Sequence, residues 1–249
     1  MPDDFPNWPP MKLFFLLTAF SAISGLACTH AAVVSLTPTA DRTIRGEGAS
    51  GPNDDTLIIG YNNGTYALHA LLNFTLAPIP LNPGESIVVT GVTMEVRVAT
   101  TAGLGDGNLI VTLNDYGFSF TESGATWADP DGDGNTATGD ITPGGTIGTP
   151  LSNITVSNPA GTTNVPRSFG TSAAFVADVQ SVIGTGGELN YIMTSNATSL
   201  NFFTRLMSSE HATAENRPTL VITYDVVPEP SAALLAGLAG IGFLARRRR

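Results

Sequence analysis

The chain has 249 residues, 42% of them hydrophobic and only 13% charged, with a formal net charge of −10. Lysine and arginine together number 11 against 21 acidic residues, a balance that excludes nucleic acid as a partner because phosphates demand cationic contacts. Cations, neutral sugars and plain acidic solubility remain open. A single cysteine excludes a disulfide framework within the chain.

Residues 1–32 have the grammar of a signal peptide. Asp3 and Asp4 without a base do not suit its first region, so Met11 is the expected start; Lys12 then precedes an apolar run from Leu13 to Ala27, and small residues surround Ala31 and Ala32. Cleavage is expected there. Leu26-Ala27-Cys28 offers the alternative of a lipid-modified cysteine, but Gly25 stands where such sites carry a large aliphatic residue. Removing the signal leaves a body that a single core can fill, with six arginines, no lysine and eighteen acids over residues 33–227.

That body reads as strands. Val92, Met94, Val96 and Val98 alternate with Thr93, Glu95, Arg97 and Ala99, which gives one buried and one solvated face. Other β-rich runs cover Thr56 to Ile59, Tyr66 to Phe74, Ser86 to Val89, Leu109 to Leu113, Leu189 to Thr194, Leu200 to Thr204 and Thr219 to Tyr224, punctuated by Gly, Pro, Asn and Asp. The pattern predicts an all-β domain, a single antiparallel β-sandwich of jelly-roll type. One helix is expected, because Phe175, Val176, Val179, Val182 and Ile183 recur at helical spacing with Thr171 or Ser172 as cap and Gly184 as stop. Between Gly124 and Asn164 hydrophobic residues are sparse, and a long excursion is expected.

Inside that excursion lies the sharpest chemical motif. Asp129, Asp131, Asp133 and Asp140 occupy positions 1, 3, 5 and 12 of a twelve-residue loop, with Gly134 at position 6 and Asn135 at 7. Calcium needs several oxygens converging on one hard cation, and alternate residues of a tight turn supply them; Gly134 permits the turn and the Asn135 carbonyl adds a ligand. Asp140 resembles the last acid of dockerin and thrombospondin type 3 loops. The competing reading is an acidic surface loop. A structural Ca2+ at residues 129–140 is the expectation.

Catalytic sets are thin. There is no Gly-x-Ser-x-Gly and no His-Glu-x-x-His. His69 falls in a strand run, and the Ser208-Ser209-Glu210-His211 run is no triad by adjacency alone. Glu122, Asp54, Asp55 and Glu210 are candidate glycosidase acids if any two of them pair. For sugar binding, Tyr61, Tyr66, Tyr116 and Trp127 offer rings near loops or strand ends, Trp127 being more suited to packing. Arg45, Arg97 and Arg205 offer guanidinium groups for a uronate carboxylate. Tyr61, Tyr66 and Arg97 are the expected ligand-binding residues.

The C-terminal 24 residues run Val226-Val227-Pro228-Glu229-Pro230-Ser231, then an apolar segment to Ala245, then Arg246 to Arg249. This order resembles the PEP-CTERM tail of exported bacterial proteins, which implies that Pro228, Glu229 and Pro230 form a recognition motif for a sorting and processing enzyme. As a helix, Ser231 to Ala245 would span about 22 Å against a hydrocarbon core of about 30 Å. It is thus a short, transient membrane segment, with the arginines left on the cytoplasmic side.

Across residues 33–226, Leu71 to Phe74, Val92 to Val98, Thr121 to Trp127, Asp178 to Ser181, Phe202 to Arg205 and Arg217 to Tyr224 resemble, in order, the DNRLRE domain. Phe120 stands where that pattern has Trp. The resemblance implies a jelly-roll module of secreted and cell-surface proteins, some relatives of which bind acidic polysaccharide such as alginate. The expected function is therefore a non-enzymatic exported surface or matrix protein associated with exopolysaccharide. It would be handled by the export machinery and sorted by residues 227–249. A polysaccharide lyase or glycosidase, or a purely structural adhesin, is the alternative.

Overall fold

The structure, a computed structural model, describes residues 30–46, 55–62, 66–100, 107–135, 144–157, 164–198 and 201–228. Residues 1–29 of the expected signal segment, the C-terminal apolar helix and Asp140 lie outside these residues, while His30 to Ala32 of that segment belong to the first strand. Among the described residues no helix is long and apolar enough to cross a membrane.

Eleven strands are described: β1 (His30–Leu36), β2 (Ala40–Arg45), β3 (Thr56–Asn62), β4 (Tyr66–Leu76), β5 (Glu85–Thr100), β6 (Asn108–Asp115), β7 (Pro150–Ser157), β8 (Val165–Phe169), β9 (Gly187–Ser195), β10 (Phe202–Met207) and β11 (Thr219–Pro228). Helix α1 (Ala173–Val182) sits between β8 and β9. The pairing is antiparallel throughout. Hydrogen bonds join all the strands in one curled sheet, in the order β1-β11-β5-β10-β3-β4-β9-β6-β7, with β2 added to β4 and β8 to β5.

β5 organises the curl. The two runs read separately in the sequence, Ser86 to Val89 and Val92 to Val98, form one strand; the register slips opposite Thr223 and Tyr224, so that the chain bends without stopping. One side of β5 holds β11 and, at its end, β10. The other side holds β8 only from Met94 to Val98. Where β8 stops, the helix and the residues just before it supply further partners. Gln180 Oε1 accepts from Val89 N at 2.8 Å, Gln180 Nε2 donates to Ile87 O at 3.0 Å, and Thr171 Oγ1 accepts from Val92 N and donates to Val92 O. Ser172 caps α1 by accepting from Phe175 N at 3.0 Å, while Phe175, Val179 and Ile183 enter the main core.

A second, smaller core lies on the far side of β2, β4 and β9. Ile44, Leu71 and Ile192 from these strands pack with Tyr116, Phe120 and Ala125 from the segment after β6, and Trp127 and Ala40 close over them. Of the expected long excursion, the described residues at its start are folded onto the sheet and Pro150–Ser157 form β7. Trp127 lies in this covering segment and not on a strand. β1, β2, β7 and β8 have no counterpart among the predicted elements.

Candidate functional site

Two groups of carboxylates come together among the described residues. The first is the predicted loop. The ligand-capable oxygens of Asp129, Asp131 and Asp133 lie within 4.8 Å of one another. The chain holds them there by local bonds: Asp129 accepts Gly132 N on Oδ1 and Gly134 N on Oδ2, each at 3.0 Å, and Asp133 Oδ1 accepts Asn135 N at 2.7 Å. Thr121 clamps the loop to the body, its N–H donating to Asp131 O and its hydroxyl to Gly132 O, both at 2.8 Å. Gly132 has φ +71°, and a Cβ there would lie 2.5 Å from both Ala125 N and Thr121 Oγ1, so this close approach requires glycine. Three acids at alternate positions thus converge within the loop, and their donor chemistry suits a hard cation such as calcium. Asp140 lies outside the described residues.

The second group was not assembled from sequence. Asp41 of β2, Glu122 of the turn after β6 and Glu210 of the β10–β11 connection bring carboxylate oxygens within 4.8 Å of one another. Asp41 is 3% exposed and accepts Ser209 N on Oδ2 at 2.6 Å. Burial pushes its carboxyl up to about 8; the Ser209 N–H opposes this and the charge of Glu210 adds to it. Glu210 moves the other way. Burial would raise it, but hydrogen bonds from Ser209 and Ser208 outweigh that and hold it below the usual range. The two carboxyls are thus pushed apart, Asp41 up and Glu210 down. Burial also raises Glu122, reinforced by Glu210 and opposed by Arg42. Glu122 and Glu210 were candidate acids in the sequence; Asp41, the buried member, was not, because a charged pair such as Asp41-Arg42 reads as a solvated face.

The expected ligand-binding residues do not gather at one place. Tyr61 is half-buried on β3, paired with Phe202 and Ala67. Tyr66 is a correction to the open stacking platform that its position suggested: it is 8% exposed, and Arg45 lies 5.6 Å over its ring centroid. Tyr116 is 1% exposed in the second core, another platform removed. Trp127 packs against His69 with ring centroids 5.0 Å apart. The His69 Nδ1–H donates to Gly144 O at 2.8 Å, and burial holds this imidazole below its usual range and neutral, as a packed residue. Arg97 lines a shallow polar groove with Glu95, Glu215 and Arg217. It donates to Glu215 O and to the carbonyl and side-chain oxygens of Asn164.

At the other end of the body, Pro228 is the last residue of β11 and pairs with Glu85; Glu229 and Pro230 lie outside the described residues. Residues 226–249 match the PEP-CTERM protein-sorting motif. This PEP-CTERM signal implies export, sorting to the cell envelope and recognition by a sorting or processing machinery. No curated protein matches the chain. Among solved structures, the T13 particle of infectious bursal disease virus matches at 11% identity with a TM-score of 0.23, over 79% of this chain and 37% of that one. The Gt strain of the same virus matches at 11% identity and 0.22, over 81% of this chain and 42% of the other. This chain spans less than half the length of either.

Proposed function

We propose that this protein is a non-enzymatic exported surface protein whose body is a jelly-roll module of DNRLRE type, associated with exopolysaccharide and delivered by its C-terminal signal. The observation that carries the reading is the sorting motif, whose first residues are the end of β11. An acidic, lysine-free body with an all-antiparallel curled sheet is consistent with a module that works outside the cell. The groove beside Arg97 and Arg217 is the most suitable place for a single uronate carboxylate, since it is where two guanidinium groups share one surface. A structural calcium ion held by Asp129, Asp131 and Asp133, with the Asn135 carbonyl and Asp140, completes the proposal.

Deleting Pro228 to Arg249 is expected to move the protein from the envelope fraction to the soluble exported fraction. Equal distribution of the full and shortened chains between fractions would remove the sorting role.

A second reading has one observation in its favour. Carboxyl pairs separated as closely as Glu122 and Glu210, one raised and one lowered, are the raw material of a retaining glycosidase. The third carboxyl of the group, Asp41, is sealed from solvent and so suits a structural role better than a catalytic one. Retention on anionic glycans without turnover supports the binding module. Cleavage abolished by Glu122→Gln or Glu210→Gln decides for the enzyme.

A further inference from the structure

β11 serves the body and the signal with the same residues. Leu220 and Ile222 are core residues, while Val226 to Pro228, at the other end of the strand, are the first three residues of the sorting motif. These three are not a spacer. Val226 pairs with His30 of β1 on one side and Ile87 of β5 on the other, Val227 pairs with Ser86 and Pro228 with Glu85. The Val226 side chain also packs against the main core, and Ser86 Oγ donates to Val227 O at 3.5 Å.

An enzyme that takes an extended peptide binds it largely through main-chain N–H and C=O groups. In the folded body those groups of Val226 and Val227 already face neighbouring strands, and one set of groups cannot serve both partners. Resting on the sorting reading, we propose that the end of β11 is a latch. The tail becomes available to its processing enzyme only when Val226 to Pro228 unzip from β5 and β1. Such fraying is far less costly than global unfolding, and Pro228, which has no N–H to donate, is where the ladder is weakest.

The N-terminal end of the body sets the strength of the latch. His30, Ala31 and Ala32 of β1 pair with Val226, Asp225 and Tyr224. Cleavage near Ala31 and Ala32 removes those partners and leaves β5 as the sole strand beside Val226. Maturation of one end of the chain thereby loosens the other.

The test locks the latch in the full chain, in cells that carry the sorting machinery. Ser86→Cys with Val227→Cys places two thiols at directly paired positions, in a Cys28→Ser background that leaves no competing thiol. Conversion of precursor to product is followed by pulse-chase under oxidising and reducing conditions. The oxidised chain is expected to convert about tenfold more slowly than the reduced one, since the cross-link removes the fraying step. A second variant carries the same cysteines with about eight Gly and Ser residues inserted between Val227 and Pro228; it is expected to convert at the normal rate whether or not it is cross-linked. Equal conversion of the oxidised and reduced chains without the insertion overturns the latch and leaves sorting intact. Slow conversion that persists with the insertion also overturns it, because the cross-link then acts through the body. No conversion of the unaltered chain overturns the sorting reading and the latch together.

Discussion

Replacing Asp41 with Asn is expected to stabilise the body at pH 8–9 and to flatten most of its loss of stability between pH 4 and 8. The native carboxyl, raised from 3.8 to about 8 by burial, keeps its proton across this window while the unfolded chain releases it. The native state therefore binds more protons, and stability falls as pH rises from the unfolded value towards the folded one. Below pH 4 both states are protonated, and above pH 8 both are ionised, so the contribution is flat outside the window. Each pH unit across that window is worth about 1.36 kcal/mol, which sets a ceiling of about 6 kcal/mol; relaxation and water entry reduce it to roughly 3.

The Asn side chain fits the geometry. Its carbonyl oxygen accepts Ser209 N–H as Asp41 Oδ2 does, and its amide can donate to Glu210, whose side chain is hydrogen-bonded to that of Asp41. Asp178, raised to about 6 by burial against a restraining hydrogen bond from Tyr191, contributes the same sign over a narrower window in both chains. Urea denaturation at pH 5 and pH 9, with chelator present, separates the two. The unaltered protein should lose roughly 2 kcal/mol more than Asp41→Asn between these conditions, which span about three of the four pH units of the window, equivalent to about 4–8 °C in melting temperature for a domain of this size. Parallel pH profiles would mean that Asp41 is ionised in the folded protein across this window.

What could be read from the sequence follows from what repeats locally. Val92, Met94, Val96 and Val98 are all buried on β5 as their period required, and Ser172 is the cap of α1 because a hydroxyl three residues before Phe175 N is in reach of it. β2 was illegible for the opposite reason. Its sequence, Ala-Asp-Arg-Thr-Ile-Arg, is polar, yet Asp41, Arg42 and Thr43 are all buried: β4 pairs along the strand, Ile44 packs in the second core, and Thr43 and Asp41 accept hydrogen bonds from Ile58 N and Ser209 N. β8 is five residues long with a proline inside, and it exists because β5 offers an edge there.

The same division applies to the sites. Alternate acids in one loop announce themselves, whereas Asp41, Glu122 and Glu210 come from β2, the segment after β6 and the β10–β11 connection, which only the fold brings together. Tyr66 shows the limit of composition: a ring near a loop looked available, and one arginine over its face closes it.

Millimolar calcium is expected to raise the melting temperature of the body. Asp129, Asp131 and Asp133 hold three carboxylates within 4.8 Å, and the repulsion among them is carried by the loop until a cation relieves it. The loop is not isolated from the body. Thr121 binds it through Asp131 O and Gly132 O, Ala125 N lies against Gly132, and Phe120, Ala125 and Trp127 from the same segment close the second core. An ion that orders the loop therefore steadies the cover of that core, and stabilisation follows mass action. At one hundred times the dissociation constant it amounts to about 2.7 kcal/mol, if the unfolded chain does not bind. That corresponds to roughly 5–10 °C. Magnesium should do much less, since it gives up its water reluctantly and demands a stricter octahedron. Asp131→Ala with Asp133→Ala should abolish the calcium response, and in chelator should leave the protein no less stable than the unaltered chain, because repulsion is removed with the ligands. Calorimetric titration and melting curves with calcium, magnesium and chelator decide the matter: no heat of binding and superimposable melts would leave Asp129, Asp131 and Asp133 as an acidic turn held by its own hydrogen bonds and by Thr121.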